Sequence, residues 1–254
     1  MAGIAVALIL VILAVVVSRV QRLRLESELA IATVRAMVQL FLVAGVITVV
    51  FENFALAIPV LTIMLGLAAW TAGRRLHGVP NARWLAGMSI AVASGISLVV
   101  LFAGRAFSFE PRFLIPVAGM LIGNCMTVTS LAGSRLRDEL NDKVLEVEAR
   151  LALGVSARDA LEPYARRALS ASMIPTIDAT KNAGLILLPG AFVGTILGGE
   201  SPARAAEIQL IVLFMLLGAV AIAGMTATIL VGRAFVGPGE RIVLPSGARD
   251  LGSS

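Results

Sequence analysis

Apolar residues along the chain collect into seven long runs separated by short polar stretches. Each run holds about 16 residues or more, which at about 1.5 Å per residue approaches or exceeds the length needed to cross a hydrocarbon core. Lipid leaves no backbone group unpaired, and no run alternates with a period of two, so the runs are expected to be helices. The pattern predicts an all-α, polytopic transmembrane helix bundle of about seven spans, at residues 2–17, 30–51, 54–70, 84–103, 113–131, 173–198 and 208–231.

Residues 1–236 are expected to form a single transmembrane domain. The first run lacks a basic segment before it and a small-residue cleavage site after it, so it is interpreted as a retained span and not as a secretion signal. Residues 237–254 are rich in Gly, Ser and Pro, which predicts a disordered tail.

Composition supports a membrane protein and argues against a soluble domain or a nucleic-acid-binding protein. Hydrophobic residues make up 58% of the 254 positions and charged residues only 15%, against about 25% charged residues in a typical soluble domain. The one cysteine, Cys125, leaves no disulfide within the chain. The formal net charge is +5, but basic residues do not alternate with aromatic ones and no Cys/His finger spacing occurs, so nucleic-acid binding is not expected.

The basic residues are distributed unevenly between the loops. Sixteen of the 21 Lys and Arg residues fall in the loops on one side of the predicted bundle, three on the other side and two inside runs. Because basic loops stay in the cytoplasm, the side with sixteen is expected to be cytoplasmic. The N-terminus is then outside and the C-terminus cytoplasmic, as seven spans in a multi-pass protein of the cell membrane require.

The largest polar segment, residues 134–172, lies between the fifth and sixth runs and is called the arm. Apolar residues in its first half recur at spacings of three and four, which predicts an amphipathic helix. Gly154 interrupts that pattern. Ser156, three residues before Asp159, then predicts the start of a second, short helix, which Pro163 would end or bend.

Several stretches resemble those of a known family. Glu148-Ala149 followed by Gly154 resembles the E-A-A-x-x-x-G loop of ABC permeases, in which a short helix broken by glycine docks on an ATPase subunit. The chain is also similar, over residues 30–232, to the FetB-like permease family, whose members work as iron-export ABC permeases in bacteria and whose plant relatives are linked to aluminium tolerance. The stretches that carry this resemblance are VRAMVQLFLVAGV at 34–46, LIGNCMTVTSLAGSRL at 121–136, LALGVSARDAL at 151–161, IPTID at 174–178 and AGLILLPGAFVGTILGGESP at 183–202.

The resemblance implies a permease subunit that exports a metal cation such as iron, not an enzyme. It implies a homodimer and, as partner, a separate FetA-like ATPase subunit that binds ATP and Mg. Glu148, Ala149 and Gly154 would then couple the arm to the ATPase. The chain itself has no G-x-x-x-x-G-K-[ST] phosphate loop, and no bound cofactor is expected. His77 and Cys125 stand alone, so neither a closed metal site nor a catalytic pair is expected.

Six polar residues inside predicted spans are candidates for the transport pathway. A charge in mid-span costs about 2.5–3.5 kcal/mol on insertion scales, so such groups usually face the bundle interior or a pathway. Two alternatives stay open: charged groups near a span end can extend to the cytoplasmic surface, and neutral ones can bond between helices. Asp178 and Lys181 are expected to pair with each other, and with Asn124 and Thr127 to form one polar seam between the fifth and sixth spans. The six are Arg35, Gln39, Asn124, Thr127, Asp178 and Lys181.

Proline and glycine mark the middle of the sixth run. Pro189-Gly190 predicts a kink in that span, because proline removes a backbone hydrogen bond. Gly194 and Gly198 continue at steps of four and predict close approach of another helix. A kinked span of this kind suits a moving element of the pathway, although packing within one subunit explains the glycines equally well.

Other functions stay open on the sequence. A nucleotide sugar, suggested for plant relatives, is an alternative substrate for an ABC permease. A secondary carrier independent of ATP would show broken helices in both halves of the chain, and a membrane sensor is a further alternative. A membrane enzyme would need clustered His, Glu or Ser groups, which are missing from the sequence.

Overall fold

The computed structural model describes residues 2–237 and 241–242, and its backbone there is almost entirely helical. A 3-10 turn at Phe54–Leu56 and a two-residue antiparallel pair, β1 (Val236–Gly237) with β2 (Arg241–Ile242), are the other elements of the described residues. The prediction of an all-α fold is confirmed. The helices are α1 (Ala2–Val20), α2 (Glu26–Glu52), α3 (Ala57–Arg75), α4 (Ala82–Ala103), α5 (Pro111–Asp142), α6 (Val144–Ala152), α7 (Ala157–Asn182), α8 (Gly190–Leu197) and α9 (Pro202–Ala234).

Among the described residues, five helical segments are long and apolar enough to cross a membrane. They match the second, third, fourth, fifth and seventh apolar runs, so the polytopic helix bundle is confirmed. α1 covers the first run as a shorter apolar helix over Val6–Val20. The five candidate spans are Glu26–Phe51, Phe54–Arg75, Ala82–Ala103, Pro111–Asp142 and Pro202–Ala234.

The chain divides into two compact units, Met1–Leu56 and Ala57–Ser254. In the first unit α1 packs against α2 across a tight turn. The buried Ser18 hydroxyl group accepts from the Leu25 N–H (3.1 Å) and donates to Glu26 Oε1 (3.1 Å), which closes the turn. One small polar residue therefore fixes the angle at which α2 leaves α1.

In the second unit, α5 and α9 pack against each other at the centre. α5 also packs against α3, α4 and α7, and α9 against α4, α7 and α8. The buried positions along these helices are rich in small residues, which allow close helix approach in a membrane. Buried alanines include Ala72, Ala86, Ala93, Ala118, Ala132, Ala219, Ala223 and Ala227.

The arm follows the predicted outline but not its lengths. Gly154 ends α6 with a left-handed φ of 84°, and its N–H donates to the Leu151 carbonyl group at 2.9 Å. The helix predicted for the first half of the arm is broken at Lys143, between α5 and α6. The short second helix is wrong as well. Pro163 lies inside α7, which continues because Leu161 and Tyr164 on either side are buried and outweigh one lost hydrogen bond.

The sixth apolar run is not one kinked helix, so the kink predicted at Pro189-Gly190 is wrong. α7 ends at Asn182, residues 183–189 are irregular, and α8 begins at Gly190 with Pro189 as its N-cap (φ −64°, ψ 149°). Proline disfavours helical backbone in the residue before it, and its missing N–H is not needed at the start of a new helix. The chain therefore ends one helix and begins another.

The close packing predicted for the α8 glycines is absent within the described chain. A Cβ added at Gly190 or Gly194 would meet no atom within 4 Å. At Gly198 it would meet only carbonyl oxygens of its own helix, those of Gly194 and Thr195, each at 3.3 Å. The predicted disordered tail, 237–254, lies outside the described residues apart from Gly237 and the strand Arg241–Ile242.

The contact between α3 and α4 gives a test of the packing. A Cβ added at Gly73 would lie 2.6 Å from Arg83 Cα, so the backbone of α4 would have to shift, whereas one added at Gly66 of the same helix meets nothing within 4 Å. We expect Gly73→Ala to lower the free energy of unfolding by about 1–3 kcal/mol and Gly66→Ala to change it by about 1 kcal/mol or less. Thermal unfolding of the purified protein in detergent measures both, and equal melting temperatures would contradict the close approach.

Candidate functional site

A largely apolar groove of about 200 Å³ lies among α5, α7 and α9. Its polar groups are hydroxyl and amide groups on apolar walls. Leu213 and Leu216 contribute from α9. The polar residues that line it are Asn124 and Thr127 of α5 and Ser172, Thr176 and Thr180 of α7.

Helical spacing explains why these side chains share the groove. Ser172, Thr176 and Thr180 recur every four residues and therefore lie on one face of α7. Asn124 and Thr127, three residues apart, lie on one face of α5. The two α5 residues were predicted from their rarity in an apolar run. The α7 hydroxyl groups were not predicted, although their recurrence every four residues could have indicated them.

Four of the five polar side chains that line the groove, all except Thr176, donate a hydrogen bond to their own helix. The Asn124 amide donates to the Met120 carbonyl oxygen (2.8 Å), and the Thr180 hydroxyl group donates to the Thr176 carbonyl oxygen (2.8 Å). The Thr127 hydroxyl group donates to its own helix in the same way, at 3.1 Å. Their oxygen atoms keep acceptor capacity for another group. The groove therefore offers neutral oxygen acceptors, which suit weak contact with a hard cation.

The described residues contain no group of three or more His, Cys, Asp or Glu side chains placed to hold a metal ion.

Asp178 and Lys181 do not lie in this groove. Their predicted pairing is confirmed, with Lys181 Nζ 4.0 Å from Asp178 Oδ1. Successive helical residues turn by about 100°, so Asp178 points to the side of α7 opposite to Thr176. The single polar seam expected from Asn124 to Lys181 is therefore wrong, because it ignored which face of the helix each residue occupies.

Asp178 and Lys181 lie in the last two turns of α7, which ends at Asn182 and is not one of the five candidate spans found among the described residues. Both alternatives for this pair, a role in the pathway and extension to the cytoplasmic surface, stay predictions.

Arg35 and Gln39 lie one turn apart and exposed on α2, in the first unit. Neither makes a side-chain hydrogen bond or ion pair with any residue in the described part of the chain. The structure builds no site around them, and their role in the pathway stays a prediction.

The arm helix α6 has one buried face and one exposed face. Val147 is buried, whereas Leu145 and Leu153 are 78% and 84% exposed. Glu148 and Ala149 lie between these two leucines on the exposed side. We call this side, from Leu145 to Leu153, the docking face. α6 is not one of the candidate spans among the described residues, and large apolar side chains exposed on such a helix are typical of a protein interaction surface.

Tyr164 of α7 holds α6 in place from its buried side. Its ring lies between two guanidinium groups, with the carbon of Arg150 6.0 Å and that of Arg167 4.9 Å from the ring centroid. Arg167 also bonds Glu139 of α5 at 3.1 Å, and Arg150 bonds Glu146 at 3.0 Å. This cluster connects α6 with α7 and with the end of α5.

The groove gives a test with thiol reagents. Cys125 is buried, with its Sγ 3.7 Å from the Ala219 carbonyl oxygen, whereas Thr127 is exposed at the groove. If the groove holds water, a methanethiosulfonate reagent should modify Thr127→Cys in a Cys125→Ser background. The same reagent should leave the native Cys125 of the unaltered protein intact, because a thiol reacts as the thiolate, which does not form at a buried site that water does not reach. Val99→Cys, exposed on the apolar helix α4, is the control that should stay unmodified in lipid. Equal reaction at positions 99 and 127 would contradict a wet groove.

Comparison with known proteins assigns the family. The model described as "Uncharacterised protein family (UPF0014)" matches residues 1–236. Protein ALUMINUM SENSITIVE 3 of Arabidopsis thaliana is 40% identical over 228 residues, which cover 89% of this chain and 84% of the plant protein. The UPF0014 membrane protein STAR2 of Oryza sativa subsp. japonica is 40% identical over 227 residues, with 89% and 80% covered.

A bacterial relative is named for a transport activity. The probable iron export permease protein FetB of Escherichia coli (strain K12) is 31% identical over 244 residues, which cover 95% of this chain and 94% of FetB. No solved structure matches the chain. The family match spans nearly the whole chain, and the predicted resemblance to FetB-like permeases is confirmed. This multi-pass membrane protein belongs to the UPF0014 family and is homologous to the FetB permease and to the plant proteins ALUMINUM SENSITIVE 3 and STAR2.

Proposed function

We propose that this protein is the permease subunit of an ATP-binding cassette transporter and that it exports a metal cation such as iron. The similarity to FetB, named a probable iron export permease, supports the substrate and its direction. The docking face of α6 supports the partnership with an ATPase, and it is the observation on which the proposal mainly rests.

The docking face has the chemistry of a contact with another protein. Leu145 and Leu153 expose two large apolar side chains, one at each end of a helix whose Arg150 packs over the ring of Tyr164. Glu148, Ala149 and Gly154 lie within or directly after this face. A separate FetA-like ATPase that carries ATP and Mg is the proposed occupant, since coupling requires a rigid helix that the ATPase can move.

The arm is connected to the groove through continuous helices. α5 runs without a break from the groove residue Asn124 to Glu139, which bonds Arg167. α7 runs without a break from the arm to Thr180, on the opposite wall of the groove. A displacement of α6 would therefore move both walls. The proposed pathway uses the oxygen acceptors of this groove as brief contacts for the cation.

The proposed topology keeps seven crossings, with the N-terminus outside and the arm in the cytoplasm. α7, the irregular residues 183–189 and α8 together take the place of the sixth span. The uneven distribution of basic residues, sixteen on one side and three on the other, supports this orientation. The protein would then lie in the cell membrane as a homodimer, with one ATPase docked on each arm.

Substitution of the docking face tests the function. We expect Leu153→Glu to lower co-purification of the co-expressed ATPase about tenfold or more, because a charge in an apolar interface centre costs more than the 1.4 kcal/mol of one decade in affinity. ATP-dependent efflux of Fe²⁺ from liposomes that contain the complex should fall with it.

Lys143→Glu is the matched control, since it adds the same acid at the start of α6 outside the docking face. It should leave ATPase binding unchanged. Full binding and coupled efflux by Leu153→Glu and Leu145→Glu would show that α6 is not the docking element. Efflux by the permease without any ATPase would indicate a secondary carrier instead.

Cysteine labelling from the outside of intact cells tests the topology. In a Cys125→Ser background, a membrane-impermeant maleimide should modify a cysteine at Ser108, in the loop between α4 and α5, but not one at Arg158, near the start of α7. Both positions are exposed, so a difference reports the side of the membrane. The reverse pattern would overturn the orientation and, with it, the access of an ATPase to the arm.

A further inference from the structure

Two close contacts fix how α3 and α4 pack against each other. A Cβ added at Gly73 of α3 would lie 2.6 Å from Arg83 Cα of α4, and one added at Gly87 of α4 would lie 3.2 Å from Ala69 Cβ of α3. The contacts follow one another in opposite order along the two helices. The helices are therefore an antiparallel pair, and Gly73 with Arg83 lies nearer to the loop that joins them.

Helical geometry assigns the two sides of this pair. Successive residues turn by about 100° in one sense, so in an antiparallel pair the residues directly after two facing contact residues point to the same side. The residues directly before them point to the other side. Ala72 and Ala86, each directly before a contact glycine, are 0% exposed and belong to the core of the second unit. Arg74 and Trp84, each directly after a contact residue, therefore lie on the outer side.

The outer side carries both tryptophans of the chain, close to the joining loop. Trp84 is 69% exposed, and Trp70, which is 40% exposed, lies one turn before Arg74 on the same face of α3. The guanidinium carbon of Arg74 is 5.0 Å from the centroid of the Trp70 ring. Exposed apolar side chains continue the outer side away from the loop: Ile63 and Leu67 on α3, and Met88, Val92 and Val99 on α4.

The positive charge beside the tryptophans has no counter-ion within this helix pair. Residues 53–109, which include both helices, contain no Asp or Glu. Arg74 and Arg83 are exposed, and neither makes an ion pair with any residue in the part of the chain that the structure describes. Guanidinium groups bind phosphate oxygens through paired hydrogen bonds. Charge complementarity therefore favours an anionic occupant that carries a phosphate group.

We propose that the loop end of the α3–α4 pair binds the headgroup of an anionic phospholipid. Both helices belong to candidate spans, Phe54–Arg75 and Ala82–Ala103, so their apolar outer side meets the arginines where a span ends. Tryptophan is typical of this boundary between hydrocarbon and headgroups, and basic clusters next to spans attract anionic lipids. A free phosphate ion would use the arginines but gain nothing from the tryptophans and the apolar side chains beyond them.

This site is separate from the groove and from the docking face. The groove lies among α5, α7 and α9, and the docking face belongs to α6. Lipid binding at α3 and α4 therefore holds whichever solute the protein moves and whichever protein docks on the arm.

Intrinsic fluorescence tests the site, because Trp70 and Trp84 are the two tryptophans of the chain. The purified protein is placed in vesicles of phosphatidylcholine and phosphatidylglycerol, with brominated acyl chains on one lipid at a time at equal mole fraction. Per molecule, brominated phosphatidylglycerol should quench about fivefold more efficiently than brominated phosphatidylcholine, since one arginine near an anionic headgroup is worth about that factor in affinity. Equal quenching by both lipids would overturn the proposal, and so would the absence of quenching by either, because protein would then cover the tryptophans.

Substitution of the two arginines tests their part in the preference. Arg74→Gln combined with Arg83→Gln should make the two quenching efficiencies equal within about twofold, whereas Arg74→Lys combined with Arg83→Lys keeps the charge and should keep the preference. Both efficiencies are measured on the same variant, so a change in fold alters both and does not imitate a lost preference.

Arg105→Gln is the matched control, because it removes one exposed charge beyond the other end of α4. It should leave the preference unchanged. A preference that survives in the glutamine pair would show that Arg74 and Arg83 do not select the lipid, and the proposal would be wrong. Loss of the preference when inorganic phosphate is added at constant ionic strength would assign the site to a free anion instead.

Discussion

The bilayer offers no hydrogen-bond partner to a peptide group, and the rest of this structure depends on that constraint. It makes each long apolar run helical, and it makes every exception costly enough to require an explanation. Two exceptions lie within the predicted sixth span: the irregular residues 183–189 and the exposed pair of Asp178 and Lys181.

Hydropathy alone predicted the helices whose interior contains no break. α2, α3, α4, α5 and α9 match five of the seven predicted runs. The sixth run failed because its mean apolarity does not register that Pro189 lacks a donor and that Gly184 takes a left-handed φ of 91°. A hydropathy average measures how favourably side chains move from water into an apolar environment. A helix break depends on backbone hydrogen bonds, so an average over the run does not detect the break.

Those residues of the groove whose type is rare in a membrane helix could be predicted from the sequence. Asn124 and Thr127 were found because polar groups are rare in the fifth run, and they do line the groove. Thr176 and Thr180 were missed, because single hydroxyl groups are common in membrane helices and only their period reveals a shared face. Asp178 was wrongly grouped with Asn124 and Thr127, because the face of α7 that lines the groove depends on where α5 and α9 pack against that helix.

The length of α5 has a mechanical consequence. The helix is 32 residues long, and its middle is clamped by buried residues such as Leu121, Cys125 and Ala132. A stiff rod held near its centre acts as a lever: at about 48 Å in length, a tilt of about 5° moves its two ends by about 2 Å in opposite directions. A displacement of Asp142 at one end of α5 would therefore move Pro111 at the other end in the opposite direction. The space beside one end of the helix would narrow as the space beside the other end widens.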